Sequence, residues 1–310
     1  MNTTAEATPR SELTVQPPLK MSTTLAMLVR REFWEHPALW RAPAVVAGLL
    51  AISTVFSLTI NVNFGDGHVP GMGNEERIKL LNASQDLWAT LIYLVAGLVV
   101  TFYALDTLYT ERKDRSILFW KSLPVSDGLT VLSKFLVCVV AVPLAVFVLA
   151  VASHLIALAI WKMRVAGGGV PDVIAWDLLA WLRGETVILL CLVLASLWYA
   201  PLVAAGLLLS AWVKRNPVLW AMLPVIFLPI FEHLFFRTSY LWSLIRYRSG
   251  GIWVVLLTRD GHSVMGENVR MLRDLNWAAA FTNANLWLGL IATAAMLYAA
   301  ARIRRYRDDT

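Results

Sequence analysis

Charge is the property that this chain lacks most. Only 15% of its 310 residues are charged, 58% are hydrophobic, and the mean hydropathy is +0.62. Soluble domains carry about 25% charged and about 45–50% apolar residues. The chain also contains several apolar runs of about 20 residues, a length that crosses a bilayer and does not fit a soluble core of this size. The composition therefore predicts a membrane protein.

Cysteine is also scarce. Cys138 and Cys191 are the two cysteines of the chain, and both lie inside apolar runs. A buried cysteine usually behaves as a small hydrophobic residue. We therefore predict that both serve packing, and that they form neither a disulfide nor a redox pair.

The sequence motifs of catalysis and nucleotide binding are missing. There is no Gly-x-x-x-x-Gly-Lys-Ser/Thr, no His-Glu-x-x-His, no Gly-x-Ser-x-Gly and no cluster of Cys and His at metal-ligand spacing. The five histidines are scattered along the chain. The sequence therefore predicts no catalytic residue, no metal and no cofactor on this chain, and no ATP bound through a phosphate loop.

Long apolar runs are what the sequence has instead. A hydrocarbon core of about 30 Å needs about 20 helical residues, and the following stretches qualify: Pro43–Val62, Leu87–Leu108, Leu129–Trp161, Thr186–Trp212, Val218–Phe236 and Trp277–Tyr298. We predict an all-α membrane protein with six transmembrane helices. Residues 1–20 are predicted to be a disordered cytoplasmic tail, and residues 21–310 to form the transmembrane domain.

The positions of Lys and Arg predict the orientation. With both termini in the cytoplasm, the inner segments are rich in Lys and Arg, as the positive-inside rule requires. The outer segment 237–276 holds six Arg and runs against this trend, although long loops weigh less in the rule. The formal charge of +6 is thus largely explained by topology, and no nucleic-acid partner is predicted.

Two segments outside the spans also contain apolar residues. In "STTLAMLVRREFWEH" (22–36), Leu25, Leu28, Val29 and Phe33 recur at helical spacing and predict an amphipathic helix on the cytoplasmic interface; a frayed polar lead-in is the alternative. In 237–276, "YLWSLI" and "GIWVVLL" are too short to span. We predict short extracytoplasmic helices there, separated by a turn at Gly250-Gly251.

A few ionisable residues fall within or beside the apolar runs: His154, Glu185, Glu232 and His233. Ionisable side chains at membrane depth are candidates for function by default. They could line a substrate path, or they could be interfacial and satisfied by a neighbouring helix. The sequence leaves both interpretations open.

The most distinctive segment is "TERKDRSILFWKSLPVSD" (110–127), between the second and third spans. Four large apolar residues, 117–120, stand in a row between Arg115 and Lys121, and Pro124 ends any helix that they form. Ser126 is positioned to cap the third span. The apolar residues could fill a groove on a partner protein or anchor in lipid headgroups.

Residues 108–127, "LYTERKDRSILFWKSLPVSD", resemble the corresponding region of bacterial ABC-2 type transporter permeases. The six-span order, the amphipathic first helix and the short helices before the last span are similar too, over roughly 22–305. The resemblance implies a permease subunit of an exporter in the bacterial plasma (inner) membrane. ATP and Mg²⁺ would bind a separate ATPase subunit, and none would bind this chain.

The resemblance also implies roles for individual residues. The loop would carry a coupling helix that docks into a cleft of the ATPase, formed by Arg112, Arg115, Ser116, Ile117, Leu118, Phe119, Trp120 and Lys121. The helix with Leu25, Leu28, Val29 and Phe33 would be the connecting helix, which lies beside the ATPase.

The resemblance further implies a dimer of permeases, either a homodimer or a pair with a sister chain. Two alternatives remain at this point. One is a non-transporting membrane anchor or sensor that uses the same docking loop. The other is a membrane-embedded enzyme that uses Glu185, His154 or Glu232-His233 as acid and base. The sequence does not predict the substrate.

Overall fold

The long apolar runs form long helices. A computed structural model describes residues 21–55, 73–114, 125–167, 176–259, 262–263 and 275–306. The described helices are α1 (Met21–Glu35), α2 (Ala38–Val55), α3 (Asn74–Lys113), α4 (Asp127–Leu136), α5 (Val142–Ala166), α6 (Leu178–Trp212), α7 (Pro217–Phe236), α8 (Tyr240–Leu256), α9 (Trp277–Thr282) and α10 (Ala284–Tyr306). A π-helical turn, Val137–Ala141, joins α4 to α5, and the short strands β1 (Thr258–Arg259) and β2 (His262–Ser263) pair antiparallel. The predicted tail, 1–20, lies outside these residues.

Within the described ranges, five helical stretches are long and apolar enough to cross a membrane. They are Gln85–Lys113, Asp127–Ala166, Leu178–Trp212, Pro217–Phe236 and Ala284–Tyr306. Helices α1 and α2 meet at an angle of 60° and make a sixth span if the bent pair counts as one. The chain is therefore a multi-pass helical membrane protein with five or six spans.

The bend between α1 and α2 falls at a proline. Pro37 cannot donate a backbone hydrogen bond, and it disfavours helical backbone in the residue before it. Helix α1 therefore ends at Glu35, and α2 starts again at Ala38. The first predicted span, Pro43–Val62, coincides with α2 as far as residue 55, and residues 56–62 lie outside the described part of the chain.

The third span is longer than predicted and contains a wide turn. The path from Asp127 to Ala166 is helical throughout, with the π-helical turn Val137–Ala141 placed just before Pro143. A π turn shifts the hydrogen-bond register of a helix by one residue. It therefore lets the chain absorb a proline, which has no N–H to donate.

Two predicted boundaries are wrong. The sequence predicted one last span, Trp277–Tyr298, but α9 ends at Thr282 and α10 begins at Ala284. Asn283 separates them with an extended backbone, and its side-chain Oδ1 accepts a hydrogen bond from the Asn285 N–H at 2.9 Å. An asparagine side chain that replaces a backbone partner in this way ends one helix and starts the next.

The predicted turn at Gly250-Gly251 is also absent, because α8 runs unbroken from Tyr240 to Leu256. A Cβ atom added to Gly251 would lie 2.8 Å from the ring of Tyr247. The glycine therefore makes room for this ring. The Tyr247 hydroxyl in turn accepts a hydrogen bond from Asn283 Nδ2 at 2.9 Å.

Two apolar clusters hold the helices together. The larger is built on α2, α3, the α4–α5 path, α6 and α10, and includes Leu39, Ile92 and Leu207. The smaller joins α6 to α8, α9 and α10 around the fully buried Trp198. In the larger cluster, α3 and α6 approach so closely that a Cβ added to Gly206 would lie 3.2 Å from Ala104 Cβ.

Candidate functional site

A fully buried ion pair lies where α1, α3 and α4 meet. Lys134 Nζ donates to both carboxylate oxygens of Glu32 at 3.0 Å and to Thr107 Oγ1 at 2.8 Å. The Tyr103 hydroxyl donates to Glu32 Oε2 at 2.7 Å, and Arg31 Nη2 donates to Glu32 Oε1 at 2.7 Å. Taking each ion out of water costs several kcal/mol, which close pairing and additional hydrogen bonds must offset.

The pair continues to the last helix through Glu111 and Arg304. Glu111 Oε1 lies 2.9 Å from Lys134 Nζ, and its Oε2 accepts a short hydrogen bond from Arg304 Nη1. Arg304 Nε also donates to Asp127 Oδ1 at 3.0 Å. Opposite charges therefore alternate from one helix to the next, and each carboxylate lies between cations or beside one.

We call this set the charge network: Arg31, Glu32, Tyr103, Thr107, Glu111, Asp127, Lys134 and Arg304. Its position follows from the chain. Glu111 is near the end of α3 and Asp127 begins α4, so the network has one carboxylate on each side of the segment 115–124. We call this end of the helices the loop end and the opposite end the far end.

The network was not predicted from the sequence. Neither Glu32 nor Arg304 stood out in the sequence, and Lys134 lay unremarked inside the predicted span Leu129–Trp161. The available signal was Lys134 itself, because a lysine within an apolar run requires a partner. Nothing in the sequence indicates that its partner is Glu32.

The predicted coupling residues fall only partly within the described chain. Arg115, Ser116, Ile117, Leu118, Phe119, Trp120 and Lys121 lie outside it. Arg112 Nη2 donates to the carbonyls of Ser210 and Val213 at 2.6 and 2.8 Å, and so caps the end of α6. The predicted cap of the third span is confirmed, because Ser126 Oγ accepts the N–H of Leu129 at 3.3 Å.

The predicted connecting-helix residues lie on the inward side of α1. Leu28 is buried, Leu25 is half-buried, and Val29 and Phe33 pack against the larger apolar cluster. Glu32 is buried on the same side. The buried side of α1 thus combines apolar residues with one carboxylate.

Two of the predicted path residues lie together. His154 on α5 and Glu185 on α6 are both buried, with Nδ1 and Oε1 3.0 Å apart. Within the described part of the chain, His154 Nε2 and Glu185 Oε2 have no hydrogen-bond partner. Such an unsatisfied pair inside a membrane helix bundle remains a candidate for function.

The other two predicted path residues are placed elsewhere. Glu232 accepts hydrogen bonds from Thr238 Oγ1 and from the N–H groups of Tyr240 and Leu241, each at 2.7 Å. Its carboxylate therefore caps the start of α8, where free N–H groups attract negative charge. His233 is exposed.

A cavity of about 950 Å³ lies between α3, the α4–α5 path and α6, and α7 and α8 also contribute to its wall. Its lining includes both cysteines, Tyr93 and Tyr199. Glu185 lies one helical turn from Ile188, which lines the cavity, so the His154–Glu185 pair is beside its far end.

One cluster among the described residues has the spacing of metal ligands. The ligand atoms of Glu32, Glu35 and His36 all lie within 4.8 Å of one another. Both oxygens of Glu32 already accept hydrogen bonds from Lys134, and Arg31 donates to one of them. The positive charges of Lys134 and Arg31 beside this carboxylate would repel a metal ion. We therefore assign Glu32 to the charge network.

The fold and these sites define a multi-pass helical membrane protein with a buried charge network at the loop end and a large apolar cavity. No protein-family model, no curated protein and no solved structure matches this chain.

Proposed function

We propose that the chain is the permease subunit of an ATP-driven exporter of the ABC-2 type. It would act as a dimer in a bacterial plasma membrane, with both termini in the cytoplasm. A separate ATPase subunit would bind ATP and Mg²⁺ and would act on the chain through residues 110–125. The likeness of 108–127 to such permeases, the number of apolar helices and the large cavity support this proposal.

The observation that carries the proposal is the attachment of both ends of this loop to buried charges. Glu111 and Asp127 flank the loop, and Arg304 holds both of them. Through Lys134 the same network reaches Glu32 on α1. A displacement of the loop would therefore act on α1, α3, α4 and α10 together, which a loop that only rests in lipid headgroups does not require.

The outer surface of α1 fits a position at the cytoplasmic interface. Trp34 is 75% exposed, Met21 and Met27 are also exposed, and the Arg30 guanidinium lies 5.9 Å from the centre of the Trp34 ring. Tryptophan and arginine are typical of the headgroup region. In this proposal α1 lies along the membrane beside the ATPase, and α8 and α9 lie on the outer side.

The proposal is tested by the double variant Phe119→Ala/Trp120→Ala, produced together with the proposed ATPase subunit. We expect the ATPase to be lost from the purified complex, because the variant removes two large apolar anchors from the docking segment. The measurement is the amount of ATPase that co-purifies with the membrane protein in nanodiscs.

The matched control is Phe235→Ala/Phe236→Ala, an aromatic pair at the end of α7 that is 63% and 68% exposed. This control should retain the ATPase. Undiminished co-purification with the Phe119/Trp120 variant would refute docking through this loop. The alternative is a complex that binds the ATPase but causes no ATP-dependent change in the contents of inverted vesicles, as measured by mass spectrometry. In that case the chain would be an anchor or sensor.

A further inference from the structure

The cavity extends along most of the membrane-spanning part of α3. Its lining on α3 runs from Asp86 to Leu105, which corresponds to about 28 Å along a helix. The lining on α6 runs in parallel from Val187 to Leu209. This length is close to the thickness of the hydrocarbon core, about 30 Å. The cavity is thus long enough to hold an extended chain.

The lining is mostly apolar. Small and aliphatic side chains such as Ala96, Val142 and Ala195 form most of it, and no Lys or Arg is among the lining residues that the structure describes. A polar solute would give up its water here without gaining hydrogen bonds, which disfavours its binding. The lining favours a ligand that is apolar over most of its length.

Two carboxylates lie at or beside the far end of the cavity. Asp86 is the one lining residue with a formal charge in the described part of the chain. Glu185 lies one turn outward from Ile188 on α6, with Oε2 unpartnered among the described residues. Both residues are about five to six turns before the close contact of Ala104 with Gly206, so the two carboxylates lie at a similar depth.

Aromatic groups line the same cavity. The Tyr93 hydroxyl is buried and has no hydrogen-bond partner within the described ranges. Tyr199 and Trp253 also contribute to the lining, and their polar atoms are 3.3 Å apart. The faces of such rings attract ammonium groups.

Building on the permease function proposed above, we propose that this cavity binds an elongated amphiphile with a single apolar chain and a positively charged amine head. The head lies at the far end near Asp86, Tyr93 and Glu185. The chain lies along α3 and α6 toward the loop end. An amine head can donate a hydrogen bond to Glu185 Oε2, which has no partner among the described residues, whereas an anionic head cannot.

The experiment uses the full-length chain in nanodiscs without any ATPase. Replacing Cys138 by Ala leaves Cys191, which lines the cavity, as the one thiol of the chain. The rate at which N-ethylmaleimide alkylates Cys191 is measured with hexadecyltrimethylammonium, with hexadecyl sulfate and with tetramethylammonium. We expect the long cation to slow alkylation about tenfold at a mole fraction where the other two ions have little effect.

The matched control places the thiol on the lipid side of the same helix. In a chain with both cysteines replaced by Ala, Val193→Cys lies at a position that is 47% exposed. None of the three ions should protect it. In the Cys191 chain, Asp86→Asn with Glu185→Gln should raise the concentration of the long cation needed for protection, and should abolish its advantage over the long anion.

Each outcome decides the proposal. Equal protection by the long cation and the long anion would refute the amine head. No protection by either, or no alkylation of Cys191 in the free protein, would refute an accessible cavity. Because no ATPase is present, these failures leave the permease proposal intact, and a failure of ATPase docking leaves this binding measurement intact.

Discussion

At the scale of the residue, Lys134 shows how a membrane helix holds a charge. It is fully buried on the third membrane-spanning path and is surrounded by the acceptors of Glu32, Thr107 and Glu111. A buried ion pair is weak evidence for stability, since an apolar pair of the same volume often does as well. The loss of one partner is different, because it leaves an uncompensated charge in the interior.

Lys134→Met should therefore destabilise the protein strongly. The methionine fits the space but leaves Glu32 and Glu111 without their shared cation, and breaking a buried pair of this kind costs about 3–5 kcal/mol. The expected result is a large fall in Tm, measured in detergent. Lys113→Met, at an exposed position at the end of α3, should change Tm little.

The double variant Glu32→Gln/Lys134→Met should recover part of the lost stability, because one of the two stranded carboxylates is then neutral. A Lys134→Met variant as stable as Lys113→Met would contradict the network. If Lys134→Met and its lysine control lower Tm equally, the loss of stability comes from removing a lysine in general.

The candidate site could be predicted from the sequence only in part. Single ionisable residues could be recognised, but which of them contact each other could not. His154 and Glu185 were recognisable because an ionisable residue in an apolar run is costly wherever it lies. That they contact each other depends on how α5 packs on α6, which hydropathy does not encode. Lys134 was equally recognisable, but its partner is 102 residues away in sequence.

At the scale of the element, hydropathy located the spans well and local side-chain chemistry moved their ends. The cores of the second to fifth predicted spans all lie within described helices. The break at Asn283 and the continuity through Gly250-Gly251 depend on particular contacts, namely an asparagine bonded to the backbone and a tyrosine ring lying over a glycine. No average over a window of residues can detect such contacts.

Gly206 provides a test of helix packing. A Cβ at this position would already lie 3.2 Å from Ala104 Cβ, so Gly206→Leu should push α6 away from α3. Overpacking of this kind typically costs about 1–3 kcal/mol. We expect a lower Tm, and faster alkylation of the neighbouring Cys138 as the contact opens.

Gly48→Leu is the matched control, because a Cβ at Gly48 meets no atom within 4 Å. Leucine is a better helix former than glycine by about 0.5–1 kcal/mol, so this variant should be neutral or slightly stabilised. If Gly206→Leu behaves like the control, α3 and α6 are not in the close contact described above.

At the scale of the whole molecule, the charge network and the far end of the cavity lie at opposite ends of the same helices. Helix α3 carries Thr107 and Glu111 at the loop end and Asp86 at the far end, about 32 Å from Thr107 along the helix. Close packing makes such a helix transmit displacement rather than absorb it. Movement at the network should therefore change the shape of the cavity.

Arg304→Leu should separate binding of the proposed ATPase subunit from the response of the cavity to ATP. Arg304 holds Glu111 and Asp127 together across the ends of the loop, yet it is not part of the proposed docking segment itself. We expect the proposed ATPase subunit to bind as before, while the response of the cavity to ATP is lost. The measurement is the change in the rate of Cys191 alkylation when ATP and vanadate are added to the complex, in the Cys138→Ala background.

Arg302→Leu is the control, since Arg302 is exposed on the same helix and lies against Tyr298 and Tyr306 instead of the network. It should keep the response of Cys191 to ATP. Asp127→Asn should reproduce the loss, because it breaks the other half of the same bridge. If ATP alters Cys191 alkylation equally in the Arg304→Leu and Arg302→Leu complexes, force reaches the cavity by another route, and the charge network serves only to hold the helices together.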